Sequence, residues 1–396
     1  MNPLIQRLIS ARKAAGISQA AAAKHLKMSR PTFIAMERGV REVKPDELVL
    51  LASLYRTSLN RLMRQSAPPT DISPHLRAAI EQEGQDAGLD AAVAKLSEFV
   101  DDYIFLRDKV EGHALPVPPP QPVRSPISAE KFAEQCATDE RRQLGFGDSE
   151  PISSLRKTLD ERGVHVFIDS LDSKLAGLYA FIENFGYCIL VNRKHPPPRR
   201  RWTIAHEYGH FLFDRDRRGV DYATPMQRRP ENERFADAFA KHFLMPGEGV
   251  RRRFQDTYQK TGDVNVGDVC RIADYYGVSL MAMVLRLEDL SLVRRNTWKE
   301  IADSGVRVGA LRAAAGIEEA DAGDSAETFP ERYLILAVQA WTSGSITTSQ
   351  FAKLIRRDIV QARDFGQRMT ETMDHSQVVI GLSLADSLVH KERSRA

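Results

Sequence analysis

The string HEYGH, His206 to His210, carries the strongest chemical signal in the chain. Histidines four residues apart on a helix lie about 40° apart around its axis and about one turn along it, so both imidazoles face one point. Such a pair can bind one Zn²⁺ ion, with Glu207 beside it. Zinc lowers the pKa of its water toward about 7, and Glu207 could take up the proton and pass it to a leaving amine. The competing interpretation is two histidines on a buried helix without a metal.

A catalytic zinc ion also needs a third protein ligand. Glu233 follows His210 by 23 residues and stands near the start of the predicted helix NERFADAFAKHFLMP. Asp237 is one turn further on the same face, where it could accept a hydrogen bond from a histidine that binds the metal. The alternative for both acids is a solvated helix face. Three residues are candidates for stabilising an oxyanion by type alone, each with a packed or surface position as the alternative: Tyr179, Tyr187 and His242.

The elements around this motif predict a mixed domain. Three β-branched and aromatic runs, VHVFID, LAGLYAFI and GYCILVN, are bounded by Gly, Asp and Asn and predict three strands. Helices are predicted for SAEKFAEQCATDERRQLG and PISSLRKTLDERG before the strands, and for the motif segment after RKHPPPRRR. The run DVCRIADYYGVSLMAMVLRLEDL predicts two more.

The length, the composition and a proline-rich segment predict how the chain divides into domains. A length of 396 residues predicts two or three domains. An amphipathic helix is predicted over 91–111, and LPVPPPQPVRSP, at 115–126, predicts a semi-rigid extended linker. Mostly helix is expected over 295–396. Three widely spaced cysteines predict reduced thiols in a cytoplasmic protein, and neither a membrane span nor a secretory signal is visible.

The N-terminal end is basic and helical. The first 64 residues hold twelve Lys or Arg against four acids, a surplus of eight; because the whole chain carries +3, the remainder carries −5. Such asymmetry is typical of a nucleic-acid-binding module. Ser18 and Ser29 are good N-caps, and Gly16 and Gly39 are helix stops, so short helices with a tight break between them predict a helix-turn-helix arrangement.

The segments RWTIAHEYGHFLF and ERFADAFAKHFLMP together resemble the ImmA/IrrE family of zinc metallopeptidases. The resemblance covers about 130–292, and more weakly the C-terminal helices. It implies zinc ligands His206, His210 and Glu233, with Glu207 as the base. Trp202 and Tyr208 depart from the family's Phe and Leu, and neither is a ligand. The family's proteolytic partners are commonly helix-turn-helix repressors, cleaved after a stress or induction signal.

The stretch ISQAAAAKHLKMSRPTFIAMERG resembles the Xre/Cro-type helix-turn-helix domain. In this arrangement the third helix lies in the major groove and its first residues meet base edges, while other residues contact phosphates. The alternative is a module used only for protein pairing. The basic runs RKHPPPRRR and Arg251 to Arg253 could also touch DNA, or be solvated surface. The predicted DNA-contacting residues are Arg30, Pro31 and Thr32 for bases, and Gln19, Arg38, Arg41 and Lys44 for phosphates.

These observations predict a multidomain chain: an all-α helix-turn-helix domain plus an α+β zincin-like metallopeptidase domain, with a small sheet and a helical C-terminal extension. The predicted function is a DNA-binding zinc metalloendopeptidase that controls transcription by cleaving a repressor. The alternative is a helix-turn-helix regulator, antitoxin-like or phage-related, whose zinc domain is sensory or structural; a pure scaffold leaves the ligand set unexplained. An operator-like duplex, a protein substrate and a homodimer are the expected partners. The domain boundaries predicted are 1–66, 67–126, 127–292 and 293–396.

Overall fold

The structure is a computed structural model. By backbone contacts the chain divides into two compact units: the first comprises Met1–Asp101 and Ala114–Pro330, and the second Asp102–His113 and Glu331–Ala396. The linker predicted at 115–126 lies outside the described residues, apart from Pro122. The structure describes residues 2–55, 57–64, 87–110, 122, 127–172, 175–182, 185–214, 219–222, 230–305, 307–317 and 327–380.

Short helices form the N-terminal module, and single residues fix their ends. The hydroxyl of Ser18 accepts a hydrogen bond from the backbone of Ala21 at 3.1 Å, and that of Ser29 accepts one from Thr32 at 3.3 Å, so each serine caps a helix. Lys27, between these helices, takes a left-handed conformation with φ 53°. The module has its own apolar core. Its helices are α1 Pro3–Ala14, α2 Gln19–His25, α3 Arg30–Glu37, α4 Pro45–Leu54 and α5 Leu59–Leu62.

One buried aspartate connects this module to the next helix, α6, Ala87–Lys109. Asp101 is 2% exposed. Its carboxylate accepts hydrogen bonds from Arg7 at 3.1 Å, from Arg61 at 2.9 Å and from Arg64 at 3.3 Å. Arg7 lies on α1 and Arg61 on α5, so helices from both ends of the module converge on one residue of α6.

The same helix also packs against the domain that follows. Phe99 of α6 stacks on Phe167 with ring centroids 5.1 Å apart, and it meets Phe329 edge-on at 5.2 Å. Lys95 forms an ion pair with Asp169 at 3.0 Å. Helix α6 therefore joins the helix-turn-helix module to the sheet-containing part of the first unit.

A small mixed sheet lies in that part of the unit. Its strand order is β1-β3-β2-β4, with β1 parallel to β3 and the other neighbours antiparallel. The first three strands are almost wholly buried, which fits their continuous apolar runs. The strands are β1 Val164–Asp169, β2 Leu175–Ile182, β3 Gly186–Asn192 and β4 Gly219–Tyr222.

Helices pack around the sheet and around one another. Helix α9, which carries the HEYGH string, packs on β2 and β3 and against α10, and α10 packs against α7. A common apolar core joins the strands to these helices. The helices are α7 Ala129–Gln143, α8 Leu155–Asp160, α9 Pro197–Asp214, α10 Glu231–Leu244, α11 Gly247–Thr261, α12 Val266–Tyr276, α13 Leu280–Asp289, α14 Thr297–Asp303 and α15 Val308–Ala314.

The second unit contains α16 Glu331–Thr342, α17 Thr348–Leu354 and α18 Ile359–Ile380. Trp341 stacks on Phe351 with centroids 5.0 Å apart. A side chain at Gly366 would place its Cβ 2.5 Å from the Trp341 ring, so α18 needs a glycine at this contact.

The predicted fold class is confirmed, and the three predicted strands have the predicted bounds. Strand β4 and helix α11 were not predicted. The helix predicted over PISSLRKTLDERG is shorter in the structure and begins only at Leu155. Among the described residues, no helix is long and apolar enough to cross a membrane.

Candidate metal centre

Helix α9 presents its motif residues toward α10 because a glycine lets the two helices approach closely. A Cβ at Gly209 would lie 3.2 Å from the Cα of Ala236 and 3.2 Å from the ring of Phe239, which is tight for any larger residue. This contact places the first turn of α10, with Glu233, beside the two histidines. His206 and His210 are both buried.

Three donor groups converge at this contact. The Nε2 atoms of His206 and His210 are 3.2 Å apart, and the Glu233 carboxylate lies 3.4 Å from the first and 3.5 Å from the second. Tetrahedral zinc with bonds of about 2.1 Å to nitrogen and oxygen would separate its ligand atoms by about 3.4 Å. The structure thus brings together the three residues predicted as ligands, and their nitrogen and oxygen donors and spacing fit a zinc ion.

Asp237 lies where the sequence predicts it, next to the first histidine. The Nδ1 atom of His206 is 3.0 Å from the Asp237 carboxylate, and donation from this nitrogen leaves Nε2 with a lone pair for a metal. Burial opposes the ionisation of Glu233, but the adjacent imidazoles of His206 and His210, which hydrogen-bond to it when no metal is bound, outweigh burial and lower the pKa of that carboxyl. The carboxylate form that a metal requires is therefore favoured.

Glu207 is fully buried on the motif helix, one residue after His206. An ionised carboxylate is costly to remove from water unless its surroundings compensate, so the interior of a core helix seldom holds one without a reason. Its place beside the histidine pair makes it the candidate base.

Tyr208 departs from the family pattern, and the structure gives the physical reason. Its hydroxyl donates a hydrogen bond of 2.5 Å to the carboxylate of Glu140 on α7. Both side chains are buried. This bond connects the motif helix to α7, and Glu140 was not among the predicted site residues. Tyr208 itself could have indicated such a partner, because a buried tyrosine hydroxyl needs a hydrogen-bond partner.

Of the three residues considered for oxyanion stabilisation, the two tyrosines stack together beside His210, and His242 lies apart from them. Tyr179 on β2 stacks on His210 with ring centroids 5.7 Å apart, and Tyr187 stacks on Tyr179 at 5.3 Å. His242 stands nine residues after Glu233 on the same helix, about 13 Å along its axis. His242 instead contacts Arg286, at 3.2 Å.

His242 makes stability depend on pH. Burial, together with the cations of Arg286 and Lys241, lowers the pKa of His242 to about 3. The carboxylate of Glu134, also 3.2 Å away, is half exposed, so solvent screens its opposing effect. Because the unfolded histidine has a pKa of about 6.5, its stabilising contribution is complete above that pH and is lost as pH falls toward 3.

The corresponding prediction is that His242→Gln flattens this pH dependence. Glutamine can still accept the hydrogen bond from Arg286 but binds no proton. Between pH 6.5 and 5, the wild-type protein should lose about 2 kcal/mol more unfolding free energy than the variant, given about 1.4 kcal/mol per proton and pH unit. Urea unfolding at both pH values measures this difference, and parallel losses in the two proteins would contradict it.

The predicted DNA-contacting residues divide into two groups. Arg30, Pro31, Arg38 and Lys44 are exposed, and Thr32 is half-buried beside them. The other two predicted contacts hold partners within the module. Gln19 donates a hydrogen bond of 2.7 Å to Glu37, and Arg41 pairs with Glu47 through two bonds of 2.9 and 2.6 Å.

Only part of the basic run RKHPPPRRR is exposed on the surface. Arg200 and Arg201 are buried and donate to backbone carbonyls, Arg200 to Arg193 and His195, and Arg201 to Ile152. Neither guanidinium is available to DNA, so for these two the suggested DNA contact is wrong. Both lie in the first turns of α9, from which Arg200 bonds the loop that precedes this helix and Arg201 bonds the segment that precedes α8.

Two family models match parts of the chain. Residues 159–288, which include the sheet's first three strands and the motif helix, match the IrrE N-terminal-like domain of the Peptidase_M78 family. Residues 5–64 match a helix-turn-helix domain. The chain matches none of the curated proteins. Both resemblances are thereby confirmed: the chain carries an N-terminal helix-turn-helix domain, as DNA-binding regulators do, and an IrrE N-terminal-like domain of the metallopeptidase type.

Proposed function

We propose that this protein is a DNA-binding regulatory zinc metalloendopeptidase that cleaves a helix-turn-helix repressor or a related regulator after a stress or induction signal. The observation that carries the proposal is the convergence of His206, His210 and Glu233 beside the buried Glu207. General protein digestion would not call for a helix-turn-helix domain on the same chain.

Each residue of the site has a distinct task in this proposal. His206, His210 and Glu233 would hold the zinc ion, which lowers the pKa of water and polarises a carbonyl. Asp237 fixes the ring of His206 through its Nδ1 atom. Glu207 would take a proton from the attacking water and deliver it to the amine that leaves when the peptide bond breaks.

A second candidate function rests on the complete burial of Glu207. A carboxylate with no exposed surface would suit a helix-turn-helix regulator, antitoxin-like or phage-related, in which zinc is sensory or structural. In that case the protein would bind zinc and an operator but cut little.

Incubation of the full-length protein with purified helix-turn-helix repressors, including any that is encoded next to its gene, separates the two functions. Mass spectrometry should show a defined cut with zinc and no cut after chelation. An intact repressor in the presence of bound zinc would contradict the peptidase and favour the regulator.

The helix-turn-helix domain makes its own prediction. Arg30, exposed at the start of α3, can bind guanine through two hydrogen bonds, so Arg30→Ala should lose about 1–3 kcal/mol of preference for the operator. Competition between random DNA and an operator selected from a random library measures this. The matched variant Lys44→Ala should weaken binding to both DNAs alike and reduce the salt slope by about one. An unchanged preference in Arg30→Ala would remove Arg30 from base recognition.

A further inference from the structure

We propose that Tyr179 is a positioning residue for the metal site, which holds the ring of His210 in its ligating orientation by stacking. The inference rests on the proposed zinc site and concerns how that site is kept in shape. The two rings are nearly parallel, with an interplanar angle of 14° and centroids 5.7 Å apart. This distance lies within the range of favourable offset stacking.

The sheet fixes the position of Tyr179. Strand β2 pairs with β3 on one side and with β4 on the other, and Tyr179 lies opposite Ile189 and Gly219 in the two ladders. The residue is 3% exposed. A side chain on a strand with two neighbours has little freedom to move, so it offers His210 a rigid surface.

Further aromatic rings support this surface. Tyr187, a diagonal neighbour on β3, stacks on Tyr179 at 5.3 Å, and Tyr187 in turn lies 5.1 Å from Phe211. Phe211 follows His210 on α9. The rings therefore form a closed series that starts and ends at adjacent residues of the motif helix, and on another side His206 meets the His210 ring edge-on at 4.9 Å.

The stack favours the metal-bound form of the histidine. An imidazole that donates its lone pair to a cation becomes more positive, and the face of a tyrosine ring attracts positive charge. The attraction thus grows when the metal binds, so removal of the ring should lower metal affinity as well as stability. Loss of a group that orients a metal ligand typically costs about 10–100-fold in affinity.

The test compares Tyr179→Phe with Tyr179→Leu in the full-length protein, with Zn²⁺ alone as the probe. Competition against a chromophoric chelator should give wild-type affinity for the Phe variant and about tenfold weaker binding for the Leu variant. The absorption spectrum of Co²⁺ in place of zinc should shift only in the Leu variant. Unchanged zinc affinity in Tyr179→Leu, or an equal loss in Tyr179→Phe, would overturn the proposal.

Two further variants separate positioning from general damage. Tyr333→Leu removes a buried tyrosine of the second unit, which packs on Tyr103 at 5.4 Å, and it should lower thermal stability without changing zinc affinity. If Tyr179→Leu does not fold, Tyr179→Met, whose unbranched side chain adapts more readily to the space left by the ring, should show the same weakened zinc binding. The zinc-binding assay contains no substrate and therefore does not depend on peptidase activity. A wild-type protein that binds zinc but cleaves no repressor would contradict the peptidase only. A wild-type protein that binds no zinc would overturn both proposals.

Discussion

Replacement of Glu207 by glutamine is expected to abolish peptide hydrolysis and to leave zinc binding intact. Glutamine has almost the same shape as glutamate but cannot take a proton from the attacking water. The loss should reach about 10²–10⁴-fold, the usual contribution of a general acid–base residue. Initial cleavage rates of the repressor, with the zinc content of each sample determined in parallel, measure the effect.

Glu248→Gln is the matched control, because Glu248 is an exposed glutamate on α11 whose loss should change neither the cleavage rate nor the zinc content. A Glu207→Gln protein that cleaves at the wild-type rate would exclude Glu207 as the base. Loss of zinc together with activity would show instead that Glu207 supports the metal site.

Replacement of Asp101 by alanine is expected to give the largest loss of stability of the substitutions considered. Asp101 compensates the charges of Arg7, Arg61 and Arg64, whose side chains are 4%, 22% and 11% exposed. Breaking a buried ion pair by removing one partner typically costs about 3–5 kcal/mol, because the other charge remains buried. Urea unfolding, followed by circular dichroism, should show the transition of the helix-turn-helix module at much lower denaturant.

Asp108→Ala is the control on the same helix. Asp108 is half exposed and its ion pair with Arg107 is long, at 3.9 Å, so its loss should change stability by less than about 0.5 kcal/mol. Equal unfolding midpoints for Asp101→Ala and the wild type would mean that the three arginines find other partners or water at no cost.

Local patterns predicted much of this architecture. The strands β1 to β3 were predicted with correct bounds because each is a continuous apolar run between turn residues. Helix α11 was missed because its sequence, GEGVRRRFQDTYQKT, is polar over most of its length and buries only its first turn. Strand β4 has four residues and depends on pairing with β2, which a local pattern does not show.

The residues of the candidate site also fall into those that a local pattern predicts and those that depend on packing between elements. The pairing of His206 with His210 depends only on helical spacing, so the sequence is sufficient for it. Glu233 lies on another helix, and its approach to the histidines depends on the contact at Gly209. The sequence does not show this contact, so only the family resemblance favoured Glu233 as a ligand over a solvated position. The stacking of Tyr179 on His210 depends on the register of β2, and no local pattern reports it.

The role of Asp101 is the clearest example of a feature that the sequence alone does not predict. In the sequence Asp101 is one acid of an amphipathic helix, with nothing to distinguish it from the half-exposed Asp108. Its three arginines are 37 to 94 residues away along the chain. Only the packed structure distinguishes a buried centre of charge from a solvated side chain.

Because the helix-turn-helix module is attached to α6, the proposed cleavage should depend on which side of the DNA helix the two proteins occupy. B-DNA turns once in about 10.5 base pairs, so two proteins bound half a turn apart point in opposite directions. A peptidase joined to its DNA-reading module by a flexible tether would average over such directions. With Arg7, Arg61 and Arg64 bound to Asp101, the candidate metal site is oriented with the module. In the proposed function, the spacing between two DNA sites would then select the protein that is cut.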